Sequence, residues 1–215
     1  MPVEIKFCGL TRAEDASFAS SLGADYVGVI FAGGPRCLEP ERAAEVLAAA
    51  GGTVRRVGVF GAARPAEVAR IARIAGLHVL QLHDDPDAEY VRRVRAETDA
   101  QLWAVVRVAA DALAPRIFEL DTVADAIVLD SLVSGRLGGT GQSFDWGLVS
   151  ARARPHRARL VVAGGLGAHN VREAIRLLAP HIVDVSSGVE SAPGIKDHER
   201  MRAFAEAVRR HDEES

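Results

Sequence analysis

The chain has 215 residues, 48% hydrophobic and 26% charged, which is enough length and apolar content to bury one sizeable core. Its 26 Lys+Arg stand against 29 Asp+Glu, scattered without long runs of one sign, so no broad surface for nucleic acid or an anionic membrane is expected. The opening MPVEIKFCGL is too short in its apolar part and too acidic for a secretory signal, and no later run approaches a membrane span, so a cytoplasmic protein is expected. Lys6 and Lys196 are the only lysines, which limits Schiff-base chemistry. Cys8 and Cys37, the only cysteines, suggest neither a disulfide framework nor a zinc pattern.

Short β-branched runs alternate with Ala/Leu/Arg segments of helical period, the pattern of repeated βα units on a parallel sheet. Strands are predicted at 3–7, 26–31, 56–60, 78–82, 102–108, 126–129, 159–163 and 182–185, each followed by a helix. The first helix is predicted to start at Thr11, where Thr11 and Glu14 form a T-x-x-E capping box, and to stop at Gly23. Pro40 and Pro65 suit first helical turns, Gly76 closes a periodic stretch, Asn170 is a candidate cap, and the last helix is predicted from about Asp197 to Arg210. Even spacing without a linker favours one (β/α)8 TIM barrel over residues 1–215, and the first βα junction, FCGLTRAED, lacks the G-x-G-x-x-G of a dinucleotide-binding unit.

In such a barrel the chemistry belongs at the C-terminal strand ends. The glycine-dense loop after strand six, Gly164-Gly165 after strand seven and Ser187-Gly188 after strand eight are read as a phosphate site, because glycines let backbone N–H groups approach an anion. Cys8 is either a partly exposed thiol, titrating near its reference value of about 8.5 or below, or a small buried hydrophobe. Asp130 closes the apolar strand AIVLD, where desolvation favours a protonated acid; its alternative is to cap the next loop. Lys6, on the same strand face as Cys8, is expected to form a buried ion pair with Asp184 or Glu4. Arg36 is either a bidentate carboxylate clamp or a solvated loop arginine, and His83 either a pocket hydrogen-bonding group or a core residue. No histidine pair supports a metal centre.

Several motifs together resemble the phosphoribosylanthranilate isomerase family over essentially the whole length: KFCGLTRAEDA (6–16), LQLH (80–83), the aspartate of VLDS, GGTGQSFDW (138–146), AGGL (163–166) and VDVSSGVESAPGIKD (183–197). The resemblance implies a phosphate-binding barrel that performs an Amadori rearrangement in tryptophan biosynthesis without metal or organic cofactor. It implies Asp130 as general acid and Cys8 as general base, Arg36 for the anthranilate carboxylate, and Asp184 orienting the substrate. Gly141, Gly165, Ser187 and Gly188 fall in the implied phosphate segments, with Gly164 beside them. The partner is then a small phosphorylated substrate, and the protein a monomer or homodimer.

Two departures stand out. Asp84 replaces the glycine usual after LQLH, making Asp84-Asp85 a poor neighbour for an anionic substrate if both face the mouth; Cys37 follows Arg36, where an aromatic or aliphatic residue is more common. The alternatives are the related isomerase of histidine synthesis, expected to carry an aspartate at the position of Cys8, and a non-catalytic sugar-phosphate-binding barrel. An epimerase would need metal-binding histidines at early strand ends, and an indole-glycerol-phosphate synthase a strand-end lysine.

Overall fold

The computed structural model describes residues 2–108, 113–131 and 157–214. Eight parallel strands, β1 (Glu4–Phe7), β2 (Tyr26–Ile30), β3 (Arg55–Phe60), β4 (Val79–Leu82), β5 (Gln101–Val108), β6 (Ala126–Ser131), β7 (Arg159–Val162) and β8 (Ile182–Val185), close in sequence order into a barrel. β1 pairs with β2 on one side and with β8 on the other, which closes the ring and sets Lys6 opposite Asp184. The helices are α1 (Ala13–Ser21), α2 (Pro40–Ala48), α3 (Pro65–Ala75), α4 (Ala88–Arg95), α5 (Leu113–Leu120), α6 (Val171–Leu178) and α7 (His198–Glu214). A short 3-10 turn, Ser187–Val189, and an antiparallel hairpin of β9 (Glu190–Ala192) and β10 (Ile195–Lys196) lie between β8 and α7.

Strand alternation divides the buried side chains into two sets. Val57, Val79, Trp103, Val105, Val128, Val161 and Ile182 belong to one apolar cluster, the barrel interior, with Trp103 edge-on to Tyr26 at 4.9 Å. Their neighbours, including Phe7, Val27, Leu80, Leu82, Leu129 and Val183, pack outward in the second cluster with helix residues such as Val46, Val68, Val91, Ile175 and Phe204. A closed parallel sheet covered by helices needs apolar residues on both faces, which is why these strands read as continuous apolar runs rather than alternating ones.

At the N-terminal rim, side chains receive backbone amides near the strand starts. Asp25 accepts from Ile5 N–H at 2.9 Å, His78 from Arg56 at 3.0 Å, Asp125 from Leu102 at 2.7 Å, Asp121 from Ala158 at 2.8 Å and His181 from Leu160 at 2.9 Å. Arg159 ties two strands further, donating to Tyr26 Oη at 3.0 Å and pairing with Glu4 at 2.8 Å.

The helix boundaries follow the sequence signals with three corrections. Pro40 and Pro65 open α2 and α3, and Gly76 ends α3 at φ +61°, a left-handed conformation that glycine adopts without the Cβ penalty. The expected capping box does not form: α1 begins at Ala13 with Arg12 as an N-cap that makes no side-chain cap, while Thr11 Oγ1 donates to the Gly194 carbonyl at 2.5 Å. Asn170 precedes α6 without capping it; its side chain accepts from Gly167 N–H at 2.8 Å and donates to the Gly165 carbonyl at 3.0 Å, bracing the glycine turn after β7. Asp197 does cap α7, accepting from Glu199 and Arg200, and that helix runs to Glu214, beyond the predicted Arg210.

Candidate active site

A cavity of about 690 Å³ opens at the C-terminal strand ends, and every predicted site residue within the described portion lines it: Cys8, Arg36, His83, Asp130, Asp184 and the turns Gly164-Gly165 and Ser187-Gly188. Gly141 and its motif lie outside the described residues.

Cys8 follows β1 and is fixed by its own N–H, which donates to the Val185 carbonyl at 2.9 Å. Only 6% of the residue is exposed, and burial pushes the thiol above its ordinary value, with Lys6 pulling the other way. Of the two readings of Cys8, its burial fits the second and not a partly exposed thiol titrating at or below its reference: water is largely excluded here, and the charged thiolate loses hydration. Lys6 is fully buried and donates to Asp184 Oδ2 at 2.6 Å. Burial opposes its charge, but Asp184 and Cys8 outweigh burial and raise its pKa, so its amine is committed to an ion pair. Gly28 on β2 makes room for both groups. A Cβ there would lie 3.1 Å from Cys8 Sγ and 3.2 Å from Lys6 Cε.

Asp130 is the penultimate residue of β6, with 6% exposure. His83 Nε2 lies 3.6 Å from Asp130 Oδ2, too far for a hydrogen bond. Burial, then the charge of Arg107, lowers the His83 pKa to about 4, so this imidazole is neutral at neutral pH and the contact is not an ion pair. Arg36 emerges from the β2 loop and grips Glu190 side-on, Nε to Oε1 at 2.8 Å and NH2 to Oε2 at 2.6 Å.

The glycine turns are sterically required. Gly164 and Gly165 have φ of +82° and +68°. A Cβ on Gly188 would come within 1.9 Å of the Leu166 carbonyl oxygen, so the loops after β7 and β8 approach closely only because neither side chain nor Cβ intervenes.

Among the described residues, three buried polar atoms at this end have no hydrogen-bond partner: Gln81 Oε1, His83 Nδ1 and Asp184 Oδ1, all on residues that line the cavity. Gln81 went unnoticed in the sequence, although an amide between Leu80 and Leu82 in a buried strand was the available signal. Glu190 and Lys196 were also missed; their significance depends on pairing across loops. Asp84 and Asp85 do not line this cavity and face Arg107, at 3.8 and 3.3 Å, which offsets their charge.

The model of the N-(5'-phosphoribosyl)anthranilate (PRA) isomerase family matches residues 5–207. The N-(5'-phosphoribosyl)anthranilate isomerase of Rubrobacter xylanophilus is 44% identical over 207 residues, 96% of this chain and 98% of that protein. The chain belongs to the phosphoribosylanthranilate isomerase family. The crystal structure of the Thermotoga maritima isomerase superposes with a TM-score of 0.85 at 33% identity, covering 96% of this chain and 98% of that one. A complex of such an isomerase with reduced 1-(o-carboxyphenylamino)-1-deoxyribulose 5-phosphate superposes at 0.82, also at 33% identity, over 96% and 98%. The protein is thus an isomerase of tryptophan biosynthesis on a TIM barrel, acting on a phosphorylated small molecule. Among the described residues no helix is long and apolar enough to cross a membrane.

Proposed function

We propose that residues 1–215 act as one barrel domain in which Asp130 is the general acid and Cys8 the general base of the Amadori rearrangement of N-(5-phosphoribosyl)anthranilate to 1-(2-carboxyphenylamino)-1-deoxyribulose 5-phosphate. The observation that carries the reading is one cavity lined by both residues, from β1 and β6, with the glycine turns after β7 and β8 on the same wall. The Asp130 carboxyl gives its proton to the furanose ring oxygen as the C1–O bond breaks, and the anilino nitrogen lone pair forms a C1=N iminium. That iminium acidifies C2–H. The Cys8 thiolate takes the C2 proton, the C–H electron pair becomes a C1=C2 bond, and the C1=N pair returns to nitrogen. Tautomerisation then moves the C2 hydroxyl proton into solvent and a proton onto C1, so the overall change is an isomerisation.

Lys6 supports this base electrostatically: its ammonium favours the thiolate against burial. The raised thiol pKa leaves the base mostly protonated at neutral pH, so kcat/KM is expected to rise with pH toward that pKa. Gly164, Gly165, Ser187 and Gly188, with Gly141 from the loop after β6, hold the phosphate, whose charge suits backbone donors. Arg36 receives the aryl carboxylate, and His83 and Asp184 meet the sugar. The enzyme works in the cytoplasm as a monomer or homodimer.

The test is to generate phosphoribosylanthranilate in situ and follow the loss of its fluorescence on adding purified protein. Acceleration over the spontaneous background is expected, and its absence would refute the assignment. The aminoaldose of histidine synthesis, which offers Arg36 no aryl carboxylate, is expected to turn over more slowly.

A further inference from the structure

The hairpin after β8 carries two buried charges that the proton transfers above do not use. Glu190 is 7% and Lys196 3% exposed, and neither lines the cavity. Their ion pair closes at 2.8 Å, and Lys196 Nζ also donates to the Ser186 carbonyl at 3.1 Å. The hairpin is anchored to the start of α1: Lys196 N–H donates to Asp15 at 3.2 Å, and Thr11 to the Gly194 carbonyl. Burial opposes the Glu190 carboxylate, but Arg36 and Lys196 together outweigh it and hold its pKa below the ordinary value.

A guanidinium carries five N–H donors in one plane. The side-on grip of Glu190 uses Nε–H and one hydrogen of NH2. The other NH2 hydrogen and the NH1 pair remain, and they form the end-on edge of the same plane, the geometry that matches a second carboxylate bidentately. Two bonds to one carboxylate fix the plane's rotation, so the free edge has a set direction while Arg36 lines the cavity. Charge also balances. Glu190 alone would repel an incoming carboxylate, and Lys196 cancels that repulsion, so Arg36 and Lys196 together match Glu190 and the substrate's aryl carboxylate.

We propose that Glu190, neutralised by Lys196, is a positioning residue that holds Arg36 with its end-on N–H pair ready for the aryl carboxylate, and that this hairpin thereby sets the preference for ortho-carboxylated aryl amines. The proposal rests on the reading of Arg36 as the carboxylate partner.

The test compares kcat/KM for N-(5-phosphoribosyl)anthranilate and for its des-carboxy analogue, N-(5-phosphoribosyl)aniline, in the wild type, Arg36→Met and Glu190→Gln. Arg36→Met is expected to abolish the preference for the carboxylated substrate. Glu190→Gln is expected to reduce it about tenfold, through KM with kcat little changed, because a misoriented clamp loses positioning. Equal losses on both substrates in Glu190→Gln, with the preference intact, would overturn the proposal and leave Glu190 purely structural. An unchanged preference in Arg36→Met would instead overturn the reading of Arg36 itself. If Glu190→Gln does not fold, Lys196→Met carries the same test: the unneutralised Glu190 should lower the preference in the same direction, and equal losses there would again overturn it.

Discussion

At the N-terminal rim, Asp25, His78, Asp121, Asp125 and His181 all spend acceptors on backbone amides of the strands. At the C-terminal rim, Gln81 Oε1, His83 Nδ1 and Asp184 Oδ1 are buried and have no hydrogen-bond partner among the described residues. At the lower end Glu4 Oε2 is ion-paired with Arg159 at 2.8 Å, and Arg56 Nε, on a partly exposed side chain, has no hydrogen-bond partner among the described residues. A buried polar atom without a partner costs about 1–3 kcal/mol, so its retention calls for an explanation such as a ligand that completes it. The lower rim therefore invests its polar groups in the fold, and the upper rim leaves acceptors unspent, as the proposed substrate contacts require.

The largest effect expected from that division is at Asp130. Asp130→Asn keeps the shape and removes the acid, and kcat/KM in the fluorescence assay should fall by about 10²–10⁴-fold with little change in the urea midpoint.

His83 blurs the division, because an upper-rim group also sets acid stability. Its folded pKa of about 4 lies below the ordinary 6.5, so between these values the unfolded chain binds a proton that the folded chain refuses. Stability is then full above pH 6.5 and lost as pH falls toward 4, by about 3 kcal/mol for this group alone. His83→Gln should flatten that part of the acid limb in urea titrations.

Asp121→Ala works from the lower rim: it strips the acceptor from Ala158 N–H and from Arg157 N–H at 3.0 Å. Unfolding free energy should drop by about 1–3 kcal/mol while kcat/KM stays near the wild-type value. The smallest stability effect is expected at Gln81. Gln81→Leu removes an unpaired acceptor and should change stability by less than about 1 kcal/mol, while KM rises.

The sequence disclosed most of the barrel because the marks that set it are local. Strand runs follow from apolar patterning, and Pro40, Pro65 and Gly76 act through their own backbone restrictions. The cavity-lining candidates were legible where a motif lies at or beside a strand end, as at Cys8, Asp130 and Asp184; the sequence left Asp184 and Glu4 open as partners for Lys6, and the register of β1 against β8 selects Asp184. What failed was long-range. Thr11 matches a capping box, but its hydroxyl is claimed by Gly194 from the far end of the chain. Arg36 was read without Glu190, because the two meet only when the loops after β2 and β8 fold together. The exposure of Cys8 depends on how closely β2 and β8 pack around it, which no local pattern records.

If the upper rim performs acid–base chemistry, Cys8 is its proposed base. The most direct test of that role is kcat/KM of Cys8→Ala for phosphoribosylanthranilate, at a pH where the wild type is active. A loss of about 10²-fold or more is expected in a protein that still folds. A rate close to the wild type would contradict it and move the base to another residue.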